Sequence, residues 1–171
     1  MISTKNLLKP SDGTPYSSPT KEIIWGIYWI TKMDESKPAS DKIYSNFDEV
    51  VYLYESTKSF GFNDKLKVRH NGEIIETNVG RILFNRILPT DEFKNYTFSK
   101  KQINESILEA FRNLDNEEVA KFIDRLKNLG LKYGTISGQS ASASDLNIPN
   151  NFDEIIEDGK NKVEELNKAL R

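Results

Sequence analysis

The residues able to do chemistry are few in this 171-residue chain, which has one histidine, His70, and no cysteine. A disulfide framework, a thiol nucleophile and a thiolate metal site are therefore excluded. A zinc site would need carboxylates or carbonyls as its other ligands, which is an uncommon ligand set. Because His70 stands directly before Asn71-Gly72, we interpret it as a structural or solvated residue of a turn.

Several adjacent carboxylates could take part in acid–base or metal chemistry. Four such pairs fall at a helix start or on the polar face of a helix, namely Asp34-Glu35, Glu117-Glu118, Asp153-Glu154 and Glu157-Asp158. A catalytic magnesium site needs several carboxylates that converge on a tight loop, and the sequence contains no Asp-x-Asp-x-Asp. We expect no metal ligand, no catalytic residue and no bound cofactor in this chain.

Three further features could contact a nucleotide. Gly134 and Gly138 are spaced as Gly-x-x-x-Gly, but no Lys-Ser/Thr follows, so a phosphate-binding P-loop is not supported. Arg81 could present its guanidinium to a phosphate, although pairing with a neighbouring carboxylate is commoner for an arginine at a strand edge. Trp25 and Trp29 lie one helical turn apart among isoleucines, which favours core packing over base stacking.

Apolar spacing predicts the helices that position these residues. In the first helix Ser18 is the predicted cap and Pro19 the first residue, and the helix ends near Thr31. Its almost completely apolar surface predicts burial. Asn46 can cap a second helix, and the Ser99-to-Gln102 spacing is that of a capping box. These patterns predict short helices packed into one core.

The second half of the chain is predicted to be helical. A helix begins at Asp115 or Asn116, and Gly130 supplies its left-handed end. Residues 137–144 are small and without periodicity, which is typical of a loop. A last helix over 151–171 has an apolar seam without a partner, so we expect the chain to be cut from a longer one.

The strands are predicted by a turn signal and by residue type. Leu66–Arg69 and Glu73–Thr77 flank Asn71-Gly72, and Asn-Gly between extended runs is a strong hairpin signal. We expect Arg81–Phe84 to add a third strand, and Lys32–Ser45 to form a loop. The predicted fold class is α+β, with helices around a small antiparallel sheet and then a helical part ending in a long helix.

The charge balance points to no particular partner. With 24 basic and 26 acidic side chains, no excess of one sign indicates nucleic acid or a membrane surface. No apolar run approaches the roughly 18 residues of a membrane span, and the first ten residues lack a signal-peptide stretch. We expect a cytoplasmic protein.

Three blocks of sequence have motif-like composition and spacing. They are Asn6–Pro10 with Gly13–Pro15, Ser18–Glu22 and Gly26–Thr31; Val79–Pro89; and Leu126–Gly130 with Tyr133–Ser140 and Asp145–Pro149. Together these blocks resemble the β′ subunit family of bacterial RNA polymerase, in the region after its catalytic aspartate loop. Their order and spacing both fit, and the resemblance covers essentially the whole chain.

This resemblance implies a pore domain over residues 1–149 and the truncated first helix of a funnel domain over residues 150–171. Such domains border the secondary channel, where nucleoside triphosphates enter and the RNA 3′ end extrudes. Carried over by position, the residues of the nucleotide route are Thr20, Lys21, Glu22, Ser137, Gly138 and Ser140, and Arg81 is a further candidate because its guanidinium could meet a phosphate. None of them is a metal ligand.

The resemblance also implies the function. The chain would be a fragment of a DNA-binding nucleotidyltransferase. The magnesium of that enzyme would be held by residues outside this fragment. Alone the fragment would be inactive, because the catalytic aspartate loop is absent. Its partners would be the rest of β′, the other polymerase subunits, DNA and RNA through the complex, and transcript cleavage factors at the funnel. The alternative is a free-standing, polymerase-like interaction module without catalysis.

Overall fold

A computed structural model describes residues 6–16, 18–140 and 142–169 of the chain. In that part it has six α-helices and three β-strands, which confirms the α+β class. It divides into two compact units, Met1–Gly138 and Gln139–Arg171. The elements are α1 Glu22–Thr31, β1 Ile43–Tyr44, α2 Phe47–Thr57, β2 Leu66–His70, β3 Glu73–Thr77, α3 Val79–Asn85, α4 Lys100–Asn113, α5 Asn116–Ile136 and α6 Phe152–Ala169.

The β-hairpin forms where the sequence predicts it. β2 pairs antiparallel with β3, with Val68 opposite Ile75. Asn71 and Gly72 both adopt positive φ, at 49° and 87°, as a tight two-residue turn requires. The third strand is β1, which lies parallel to β2 with Tyr44 beside Val68. The sheet is therefore mixed, and part of the predicted 32–45 loop is a strand.

The predicted third strand over Arg81–Phe84 is wrong, because these residues lie within helix α3. The Asn78 side chain accepts a hydrogen bond from the Arg81 backbone N–H at 2.8 Å and caps this helix. Val79, Ile82 and the residues between them are all buried. A short, wholly buried apolar run has no clear periodicity, so it cannot separate a strand from a helix.

The predicted helix caps are largely confirmed. Asn46 caps α2, Asp115 caps α5, and Ser99 with Gln102 forms a capping box for α4. The exception is α1, which begins at Glu22 and not beside Pro19. Its proposed cap, Ser18, donates its hydroxyl hydrogen to Asn104 Oδ1 at 2.8 Å instead.

Glycines bring α1 and α5 into backbone contact. A Cβ added to Gly26 would lie 1.9 Å from the Gly130 carbonyl oxygen and 2.6 Å from the Gly134 nitrogen. The predicted helix end at Gly130 is therefore wrong, since this glycine is a contact point inside α5. The left-handed residue is Gly138, with a φ of 61°, after α5 ends at Ile136.

The core of the first unit lies among the sheet and helices α1 to α5. Ile27, Ile30 and Phe84 are fully buried there. Trp29 stacks on Phe62 with ring centroids 5.8 Å apart, as the core interpretation predicts. Trp25 is 42% exposed, so α1 is not enclosed on every side.

The second unit consists of a short 3-10 turn, Ala143–Asp145, and helix α6. α6 confirms the predicted long final helix, and its described residues are all exposed. The helices of the described ranges all lack the length and apolar content that crossing a lipid bilayer requires.

Candidate functional site

The first group of candidate residues lies at the start of α1. Thr20 and Glu22 are exposed, and so is Lys21 between them. Lys21 has φ 45° and ψ −115°, a backbone conformation that favours glycine. Its carbonyl accepts a hydrogen bond from the Trp25 N–H at 2.9 Å, which closes the first turn of the helix. Holding a lysine in this conformation costs about 1–3 kcal/mol.

The second group lies at the end of α5. The Ser137 hydroxyl donates to the Gly134 carbonyl at 2.7 Å, and the Gly138 N–H donates to the Thr135 carbonyl at 3.2 Å. A Cβ added to Gly134 would lie 3.0 Å from the Glu22 carbonyl oxygen. The structure therefore brings the start of α1 and the end of α5 together.

Ser140 belongs to the second unit, where its side chain is exposed. It lies two residues after Gly138, which has a positive φ. The loop prediction for residues 137–144 holds for Ser140, since it lies outside any helix or strand.

Arg81 lies apart from these groups, at the other end of α1. Its Nε–H donates to the Thr31 carbonyl at 2.8 Å, and its side chain is 95% buried, with 5% exposed. Because α1 rises about 1.5 Å per residue, the nine steps from Glu22 to Thr31 place Thr31 roughly 13–14 Å along the helix from Glu22. Arg81 is thus not close to the other candidates.

The guanidinium of Arg81 binds neutral oxygens. Nη1 donates to both the backbone carbonyl and Oδ1 of Asn95, at 3.2 and 3.0 Å, and Nη2 donates to Thr97 Oγ1 at 3.2 Å. Within the described ranges Arg81 forms no ion pair with a carboxylate, so the expected pairing is wrong. Burial lowers the pKa of Arg81, since the charged form loses hydration.

A polar cluster missed by the sequence reasoning surrounds the end of α1. Asn63 Nδ2 donates to the Trp29 and Lys32 carbonyls, and Asn78 Nδ2 also donates to the Lys32 carbonyl, at 3.0 Å. The Thr31 hydroxyl accepts from the Phe98 N–H at 3.0 Å. The asparagine bonds satisfy carbonyls that the helix end leaves free. The sequence signal for this cluster was Asn78, which stands directly before an apolar run and can therefore cap a helix.

His70 serves in packing. Its ring lies 4.8 Å from that of Phe47 and 5.5 Å from that of Phe93, measured between centroids. Across the described ranges, no group of three or more His, Cys, Asp or Glu residues could hold a metal ion.

Comparison with known protein families shows which family the chain matches. The model of the family described as RNA polymerase Rpb1, domain 3, matches residues 6–146. The chain belongs to this family. All seven candidate residues lie within the matched part of the chain, while the whole of α6 lies beyond it.

The most similar curated relatives include β′ subunits of DNA-directed RNA polymerase. The Fusobacterium nucleatum subunit is 34% identical over 100% of this chain and 13% of its own length. The Aquifex aeolicus subunit is 36% identical over 97% of this chain and 11% of its own length. The Dehalococcoides mccartyi subunit is 36% identical over 87% of this chain and 12% of its own length. This member of the Rpb1 domain 3 family thus spans a small part of the length of each relative that it matches.

Proposed function

We propose that the chain is part of the β′ subunit of a bacterial DNA-directed RNA polymerase, where it lines the secondary channel. The observation that carries this proposal is the similarity to β′ subunits along the whole chain, at 34% identity over 100% of it in one relative. Family membership over residues 6–146 supports the same assignment.

Within the channel, the proposed pore domain is residues 1–149 and the proposed funnel helix lies in residues 150–171. The paired ends of α1 and α5 are the best-supported channel surface. Lys21 and Glu22 are exposed there and therefore accessible to a passing nucleotide. Arg81 is buried, so its first role is to hold the end of α1 in place.

The reaction of the complete polymerase would be nucleotidyl transfer, in which magnesium stabilises charge on the reacting phosphate. The donor set of the described residues does not fit such an ion, because no three potential ligands converge. The chain would therefore shape the route of substrate and RNA, and residues elsewhere in β′ would hold the metal. By itself it would be inactive.

The proposed setting follows from the polymerase assignment. The partners would be the remainder of β′, the other polymerase subunits, DNA and RNA through the complex, and transcript cleavage factors at the funnel. The compartment would be the cytoplasm.

Site-specific photo-cross-linking in the assembled polymerase tests this function. A benzophenone amino acid replaces Lys21 at the start of α1, and a matched variant carries it at Tyr52 on α2, which is 70% exposed. In backtracked complexes we expect the Lys21 variant to cross-link the extruded RNA 3′ end, and the Tyr52 variant to give at most a tenth of that yield.

Equal yields at the two positions would contradict the channel assignment. Failure of the tagged chain to co-purify with polymerase subunits would contradict the β′ assignment itself and favour the free-standing module.

A further inference from the structure

A pocket of about 390 Å³ opens beside the buried guanidinium of Arg81. Its lining includes Tyr28 and Lys32 from the end of α1, Glu35 from the following loop, and Thr97 before α4. The volume falls in the range of small-ligand sites. This pocket is separate from the paired ends of α1 and α5 described above.

The charge of Arg81 is not neutralised by the fold. An arginine guanidinium has five N–H groups, and Arg81 donates four hydrogen bonds, to Thr31, to two oxygens of Asn95 and to Thr97. One N–H of Nη2 therefore has no acceptor on the described residues, and all four acceptors are neutral. A buried cation without a counter-charge is costly unless an anion comes close to it.

Lys32 supplies a second positive charge at the pocket. Its ammonium lies 6.0 Å from the centre of the Tyr28 ring, and Lys32 forms no ion pair within the described ranges. The Lys32 side chain is exposed, so it can turn towards a ligand. The pocket thus has one buried and one exposed cationic donor.

We propose that this pocket binds a phosphate group, held between the free N–H of Arg81 and the ammonium of Lys32. The two donors lie on different elements, α3 and the end of α1, and so approach a ligand from different directions. A tetrahedral phosphate offers oxygens in several directions. A planar carboxylate is bound best by a two-pronged guanidinium, and Arg81 has only one N–H left to give.

Glu35 provides a second way to test the proposal. It is the one carboxylate in the described lining of the pocket, and it is exposed at the surface. A phosphate bound beside it would be repelled, so the charge of Glu35 limits the affinity. Removing that charge and removing the Lys32 charge should therefore change phosphate binding in opposite directions.

Arg81 itself is a poor test residue, because its loss would also release the end of α1. The experiment instead follows the full chain, labelled with nitrogen-15, by two-dimensional NMR during titration with sodium tripolyphosphate at constant ionic strength. We expect saturable shifts of the Arg81 Nε–H and of the Lys32 amide. K32E should weaken binding about fivefold to tenfold, and E35Q should tighten it about twofold.

The matched control is K42E, since Lys42 is also an exposed lysine over a tyrosine ring, at 4.9 Å from the centre of Tyr44. It should leave the affinity within about twofold. Titrations with a nucleoside triphosphate and with a short RNA identify which source of phosphate binds more tightly. Shifts that do not saturate, or an equal loss in K32E and K42E, would overturn the site.

This inference does not rest on the proposed polymerase function. The titration uses the chain alone and has no polymerase readout, so a failed cross-link and a failed titration would be told apart.

Discussion

Helices α5 and α6 have similar sequence patterns but opposite surroundings. Both are long and amphipathic, with apolar residues at steps of three and four. In α5 the stripe of Val119, Phe122 and Leu126 is buried. In α6 the corresponding residues, including Val163 and Leu166, are 57% and 64% exposed.

The two helices also differ in what lies next to their glycines. α5 has Gly130 and Gly134 at the points where α1 crosses it, so the two backbones meet. Gly159 of α6 has nothing within 4 Å of the place where a Cβ would be. An amphipathic pattern therefore predicts a helix and its apolar face. The place of a close helix–helix contact is indicated by glycines on the face that meets the other helix.

The largest expected effect comes from a pair of glycine substitutions. Gly26→Ala places a methyl group against the backbone of α5 and should lower the free energy of unfolding by about 3 kcal/mol or more. Gly159→Ala meets no atom and should raise the helicity of α6, since alanine favours a helix by about 0.5–1 kcal/mol over glycine. Urea unfolding and far-ultraviolet circular dichroism measure the two effects. Equal destabilisation would refute the contrast.

A smaller effect is expected from a matched pair of valines. Val119→Ala removes packing from a fully buried side chain and should cost about 2 kcal/mol of stability. Val163→Ala, at a 57% exposed position, should change stability by less than about 0.5 kcal/mol. The midpoint of urea unfolding reports both. A loss at Val163 as large as that at Val119 would show that α6 is covered in solution.

The smallest effect is an alkaline one, to which Tyr133 of α5 contributes together with Tyr44 and Tyr96, since burial raises the pKa of all three. Burial raises the pKa of Tyr133 above its ordinary value of about 10, so the folded chain favours the neutral phenol. This stabilisation is complete below pH of about 10 and is lost as the pH rises through the folded-state pKa. Thermal unfolding against pH should show the loss, and α6 contains no tyrosine to add to it.

Tyr133→Phe should flatten that alkaline decline, whereas Tyr52→Phe, at a 70% exposed position, should leave it unchanged. An identical decline in the Tyr133→Phe variant would assign the effect to other groups.

Local signals predicted most of the first unit. Asn71-Gly72 set the hairpin turn, and Asn46, Asp115 and Ser99 each act at the start of the helix expected there. These are contacts between near neighbours in sequence, so residue type and spacing are sufficient. The run after Asn78 was misassigned because burial on every side removes the periodicity that separates helix from strand.

The geometry of the candidate site could not be predicted in the same way. The meeting of Glu22 with Gly134 depends on how two distant helices cross, which local patterns do not encode. One signal was present, because Gly130 and Gly134 are four residues apart and therefore share one face of α5. Arg81 lies apart from the other candidate residues because it is bonded to Thr31 and Asn95. These bonds also join residues that are distant in sequence.

The contact between Gly26 and Gly130 also has a consequence for the newly made protein. The two residues are about a hundred positions apart, and a ribosome adds about 5–20 residues per second. Helix α1 therefore waits roughly 5–20 seconds after synthesis before α5 emerges to cover it. During that interval its isoleucines and tryptophans are exposed to chaperones, so slowed translation before residue 130 should lengthen chaperone binding to α1.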